Sequence, residues 1–225
     1  MKREVQWPND EEFKKMQDNF ALFHNWDFED MVCVIDGTEI RVSRPNGWEK
    51  QKRFWSSKKS QHSVNILCIT ALNGLILYCS DYRVGSNDQA FWNELGLRER
   101  FVDRPYGIAG DAGFTFNTER HSEKIIGYKP YKKPPHGSLT EEQKLYNKRL
   151  SQMRVVVENT FCRLKKWRVL KGVFRHLKGE KGQLDLNNIV HVIAGLTNRD
   201  IKKNPIRENR WMAPEWQEMF ELHEE

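Results

Sequence analysis

Residues 31–36 read MVCVID, five apolar side chains in an unbroken row followed by a carboxylate. Successive side chains of a strand point to opposite faces, so an apolar row without polar alternates marks a strand covered on both sides. Such a strand needs layers above and below its sheet, which places the chain in the α/β class. The strand reading runs from Met31 to Val42. Asp36 then stands where a rigid central strand leaves the core. An unpartnered carboxylate there is costly, which favours a functional site over a simple turn aspartate before Gly37.

The rest of the chain supplies the layers. Asp10 to Phe20 reads as a helix capped by Asn9 or Asp10, with Glu11 and Glu12 in its first turn. Ser43 to Ser60 reads as a loop because of Pro45, Asn46 and Gly47. Ser63 to Leu72 and Leu75 to Ser80 are β-prone runs joined by Asn73-Gly74, a hairpin signal. Ser86 and Gln89 have capping-box spacing before a short helix through Phe91, Trp92 and Leu95, with Gly96 placed to end it. Tyr106 to Gly110 is a fourth short strand, and 115–139 is irregular. Thr140 and Gln143 form a second capping box, and the helix they open runs to about Lys166. Its buried stripe is Tyr146, Leu150, Met153, Val157, Phe161 and Leu164. A further helix, Leu186 to Ile201, turns Ile189, Val190, Ile193 and Leu196 inward. The order predicts a mixed sheet flanked by helices.

This arrangement has a chemical consequence. A fourth strand lying beside the first brings Asp36 and Asp111 to neighbouring strand ends. Glu158 borders the apolar stripe of the long helix and can lean toward them. Taken singly, Asp111 also reads as a turn residue, and Glu158 as a surface acid paired with Arg154 or Arg163. Asp88, in the first turn of the short helix, is welcome there for dipole reasons alone, yet can also face the same site. Magnesium takes hard oxygen ligands, usually one or two carboxylates with water and phosphate. Two such ions about 3.5–4 Å apart can activate the attacking oxygen and stabilise the leaving one in a phosphodiester reaction. Asp36 is the natural bridge, with Asp111 and Glu158 completing the set.

Charge points to the substrate. The formal net charge is +6, and the excess is local. Phe161 to Lys181 holds eight Lys or Arg against one Glu, and Trp48 to Lys59 holds five against one, interleaved with Trp48, Phe54 and Trp55. Basic clusters mixed with aromatics suit nucleic acid, although a solvated helix face and a loop would read the same way. Cys33, Cys68 and Cys79 fall in predicted buried strands and, with Cys162, form no CxxC pair. That usage fits a reducing compartment. The scattered histidines have no zinc-like spacing. No apolar run approaches the roughly 20 residues of a spanning helix, and the N-terminus MKREVQWPNDEEF carries no signal-peptide core.

Together VIDGTEI around Asp36, GSNDQAFW around Asp88, GDAGF around Asp111, the loop GYKPYKKP and the helix YNKRLSQMRVVVENTFCRLKKWRVL around Glu158 carry a resemblance. Over about residues 5–200 the chain resembles the DDE endonuclease domain of PIF/Harbinger-type transposases and their relatives in bacterial insertion sequences. The resemblance implies a ribonuclease-H-like fold and metal-dependent DNA cleavage and strand joining. It implies Asp36, Asp111 and Glu158 as the catalytic acids, and Asp88 as a further metal ligand beside them. It also implies a divalent cation, Mg²⁺ or Mn²⁺, as a pair of ions. The expected organisation is a helical lead-in over 1–30, the endonuclease domain over 31–202 and a polar tail over 203–225.

Two departures are visible. Asn87 stands where His commonly precedes the family's Asp, and Gly195-Leu-Thr-Asn198 replaces a Leu-His-Asn signature. Only 35 residues precede Asp36, too few for the family's N-terminal helical DNA-binding region. The expectation is a fragment, a degenerate copy, or a chain relying on a Myb/SANT-like companion protein. DNA, a homo-oligomer and a nuclear or cytoplasmic location complete the expected setting, with no membrane. The alternative is a domesticated, non-catalytic DNA-binding or protein-interaction module on the same fold.

Overall fold

The computed structural model describes residues 4–21, 28–85, 87–119, 121–177 and 179–206. Strand β1, Met31–Arg41, is central, and Met31 to Ile35 are fully buried. It pairs antiparallel with β3, Gln61–Ala71, in a register that sets Asp36 against Cys68. On its other side it pairs parallel with β5, Gly107–Ala109, matching Val34 to Ala109. Strand β6, Gly127–Tyr128, extends the parallel side. β2, Trp55–Ser56, and β4, Ile76–Cys79, both pair antiparallel with β3. The product is a six-stranded mixed sheet flanked by helices, as expected of a ribonuclease-H-like fold.

The hairpin between β3 and β4 closes at Asn73-Gly74 as predicted. Gly74 N–H donates to the Ala71 carbonyl at 2.9 Å, and Gly74 adopts φ +96°, which an L side chain resists. The Thr160 hydroxyl of the long helix donates to the Gly74 carbonyl at 2.9 Å, tying the turn to the layer above.

Helix α1, Asp10–Ala21, is capped by Asn9, whose Oδ1 accepts from the Glu12 N–H at 2.9 Å while the Glu12 carboxylate accepts from the Asn9 N–H at 2.7 Å. Its Phe13 is fully buried, stacks on Tyr106 and joins the single core cluster. Helix α4, Glu141–Leu164, opens on the predicted Thr140–Gln143 capping box. Its buried stripe is Leu150, Met153, Val156, Val157, Thr160, Phe161 and Leu164, and Tyr146 sits at the border. A short helix α5, Arg168–Lys171, follows, and helix α6, Gly179–Lys203, is longer than predicted. It buries Leu186, Val190, Ile193, Ala194 and Ile201, leaving Ile189 and Leu196 half-buried.

Three readings need correction. The predicted loop 43–60 contains helix α2, Trp48–Phe54, and strand β2. Pro45, Asn46 and Gly47 end the preceding strand and do not exclude a helix just beyond them. The irregular stretch 115–139 contains β6, whose two residues are too few for periodicity to show. Helix α3, Asp88–Glu94, is capped by Asn87, whose Oδ1 accepts from the Ala90 N–H at 2.7 Å. Ser86 lies outside the described residues, as does the predicted tail beyond residue 206.

Asn198, at the signature that departs from Leu-His-Asn, has a structural task. Its Oδ1 accepts from the Ile76 N–H at 2.8 Å, and its Nδ2 donates to the Ile76 and Glu4 carbonyls, both at 2.9 Å. It thereby satisfies backbone groups that β4 presents on its free edge.

Candidate active site

β1 and β5 run parallel; Asp36 lies not at the end of β1, as the sequence suggested, but midway along it, just past its last pairing with β5, and Asp111 lies just beyond β5. Val34 pairs with Ala109, and Asp36 and Asp111 each lie two residues further along. The sheet register therefore carries both acids to one end of that pairing. Asp36 Oδ1 accepts from its neighbour Gly37 N–H at 2.9 Å, and Asp111 Oδ1 accepts from Gly113 N–H at 2.8 Å. Neither bond neutralises the charge.

Asp88 reaches the same place from the start of α3. A Cβ built on Gly37 would lie 2.2 Å from Asp88 Oδ1 and 2.7 Å from its carboxyl carbon. Gly37 is thus the residue that lets Asp88 approach β1, and any side chain there displaces it. Sequence reading missed this use of Gly37, although the Asp-Gly pair was its signal.

Electrostatics binds the three acids into one neighbourhood. Burial pushes the Asp36 carboxyl up to about 6, the Gly37 N–H and the Arg154 guanidinium oppose that, and Asp88 and Asp111 add to it. Burial also raises Asp88, followed by repulsion from Asp111; Lys58 opposes the rise and Glu39 adds to it. Cations face this set without cancelling it. Arg154 has its buried Nε without a hydrogen-bond partner among the described residues. Lys165 is lowered by burial and then by Lys59. Glu39, three residues beyond Asp36, accepts from Ser63 Oγ at 2.7 Å and Ser56 Oγ at 2.9 Å, which fixes it. Arg154, Lys58 and Glu39 were also missed, because only the fold brings them to the strand ends.

Glu158 stands apart. It lies on α4 one turn after Arg154 and so shares that residue's helix face, but it is exposed. Arg163, a cation the sequence offered it, pairs instead with Asp200 at 2.8 Å. The structure brings Asp36, Asp88 and Asp111 together and leaves Glu158 exposed on α4.

Among the described residues no group of three or more His, Cys, Asp or Glu has the spacing of a metal cage. The chemistry of the donor set nevertheless fits a divalent cation. Asp36 and Asp88 are half-buried hard-oxygen ligands whose charge nearby carboxylates oppose, and the facing cations leave that repulsion only partly compensated.

Residues 35–198 match the DDE superfamily endonucleases, a span that begins one residue before Asp36 and closes on Asn198. The chain belongs to this family. The DDE endonuclease domain is also similar to the "Probable transposase for insertion sequence element IS702" of Microchaete diplosiphon, 26% identical over 174 residues, which is 77% of this chain and 58% of that relative. The chain therefore spans less than two thirds of that relative's length. No solved structure gives a significant match. Nucleases of the DDE superfamily typically use divalent metals. Among the described residues no helix is long and apolar enough to cross a membrane.

Proposed function

We propose that the chain is the catalytic domain of a metal-dependent, Harbinger-like transposase that cleaves phosphodiester bonds at element ends and joins the freed 3′-hydroxyl to target DNA. The convergence of Asp36, Asp88 and Asp111 at the parallel strand ends carries this reading. Asp36 and Asp111 would hold the cations, Asp88 would support them from α3, and Glu158 would complete the set from α4. A divalent cation bound there supplies Lewis-acid stabilisation of the phosphoryl group. The protein's own part is positioning. β1 and β5 fix two carboxylates through backbone register, Gly37 admits the third, and Arg154 and Lys58 face the negative charge of an incoming phosphate. In the first reaction water attacks the phosphorus and the 3′-oxygen leaves; in the second that 3′-hydroxyl attacks a target phosphate and displaces its 3′-oxygen.

Phosphate contacts position DNA without reading its sequence, so element ends need a further reader. A Myb/SANT-like companion and a second copy of this chain are part of the proposal, as is a nuclear location. Incubation of supercoiled plasmid with Mg²⁺ or Mn²⁺ tests the core claim. Nicking by the wild type that is lost in Asp36→Asn, Asp111→Asn and Glu158→Gln supports it. DNA binding without nicking at either metal replaces it with the non-catalytic module, the reading favoured by the exposed position of Glu158.

A further inference from the structure

Helix α2 has no buried residue. Its seven residues are too few to be stable by propensity alone, and its composition is not explained by packing. Trp48 at its start is 74% exposed, and Trp55 just beyond its end is 48% exposed. Lys50, Lys52 and Arg53 lie on its surface. The segment is nonetheless held in place. Trp55 and Ser56 pair with His62 and Gln61 of β3, and the Arg53 carbonyl lies 3.2 Å from where a Cβ on Gly85 would sit.

Beneath α2 is a cleft of about 690 Å³, walled by α2, the segment after β4 and α6. Four cations line it, Arg44, Lys50, Arg53 and Arg83, against one carboxylate, Glu94. Two of the four are oriented. Arg44 Nη2 donates to Gln51 Oε1 at 2.7 Å. Arg83 pairs its backbone with Asn65, donates from Nε to Glu94 at 3.3 Å and lies 5.8 Å over the Phe91 ring. The Tyr82 N–H donates to Asn187 Oδ1 at 3.0 Å, which fastens the opposite wall. A concave surface with surplus positive charge, fixed guanidinium groups and an exposed tryptophan at its rim has the chemistry of a nucleic-acid backbone site.

The cleft shares no lining residue with the acidic set. Gly85 abuts α2 and lies three residues before Asp88, and Lys58, just past β2, acts electrostatically on Asp88. We propose that α2 and the cleft beneath it form a second DNA contact, gripping the backbone of the duplex that flanks the cleavage point. Lys50 and Arg53 bind phosphates, Arg44 and Arg83 set their register, and Trp48 packs on the sugar edge at the rim. The inference rests on the nuclease reading for its substrate, but binding can be measured without catalysis.

The test is fluorescence anisotropy of a labelled 30-base-pair duplex across a salt series in EDTA, with nicking measured in parallel. Lys50→Ala with Arg53→Ala is expected to weaken binding roughly tenfold near 0.1 M salt and to lower the slope of log K against log salt by about 2, one phosphate for each charge removed. Lys50→Arg with Arg53→Lys should restore the slope. Trp48→Ala should weaken binding two- to fivefold and leave the slope unchanged. Lys14→Ala with Lys15→Ala, which removes the same charge from exposed positions on α1, should change neither. All five positions are solvent-facing, and a thermal melt verifies that each variant folds. An unchanged slope in the cleft variant, an equal loss in the α1 variant, wild-type protein that fails to bind DNA, or tighter binding of an RNA duplex overturns the inference. Normal nicking with an unchanged slope would sink the cleft alone. The expected slope loss without any nicking would sink the nuclease reading and leave the cleft standing.

Discussion

The acidic site and the basic cleft differ in how they hold charge. Asp36 and Asp88 are half-buried, and burial together with repulsion from neighbouring carboxylates opposes their ionisation. Lys50 and Arg53 sit on a helix with nothing buried. Negative charge fixed in the rigid sheet is energetically costly and geometrically defined. Positive charge displayed on a short surface helix costs little and tolerates exchange. Changes at the acids are therefore expected to alter activity and stability together, and changes in the cleft to alter affinity alone.

The largest effect breaks the comparison if it fails to appear. Asp36→Asn and Asp111→Asn should each lower metal-dependent plasmid nicking by at least about 10³-fold, equivalent to roughly 4 kcal/mol of barrier. Residual nicking within tenfold of wild type would show that the strand ends are not the reacting centre. Glu158→Gln sharpens the contrast between buried and exposed acids. Nicking should fall by a similar factor, while the melting temperature should move by no more than the roughly 0.5 kcal/mol typical of surface changes.

Stability gives the next test. The folded-state pKa of Asp36, about 6, lies above its ordinary value of 3.8. Its protonated form is the one the fold prefers, so its contribution to stability is present in full below about pH 4 and is lost as pH rises through about 6. Asp36→Asn removes the charged form and should stabilise the metal-free protein by about 2–3 kcal/mol at pH 8, with the gain shrinking toward zero near pH 4. Melts in EDTA across that range measure it, and a variant less stable than wild type at pH 8 would show that the charge is compensated.

A smaller, contrasting effect is expected at Asn198. Asn198→Ala leaves backbone groups of Ile76 without partners and should cost about 1–3 kcal/mol, a fall of several degrees in melting temperature. Its affinity for duplex DNA should match wild type. Altered binding would mean that this position acts on the DNA surface and not only on the β4 edge.

Legibility in the sequence followed the range of the interactions. The cap at Asn9, the capping box at Thr140, the Asn73-Gly74 turn and the apolar row of β1 are local signals, and each yielded its element. α2 was missed because a seven-residue helix without a buried face has no apolar period to detect. β6 was missed because it exists only by pairing with β5. Asp36 and Asp111 were picked out from their strand-end settings, whereas the reason Asp88 can join them, the bare Cα of Gly37, needed coordinates.

The sequence by itself determined the central strand and the long capped helix, since these follow from contiguous residues and their periods. Only the tertiary structure decided that Val34 pairs with Ala109, that Asp88 packs over Gly37, that Arg154 and Lys58 act on the carboxylates and that Glu158 is exposed. Those outcomes depend on contacts between segments far apart in the chain, and their free energies are set by burial and by charges that meet only once the sheet has formed.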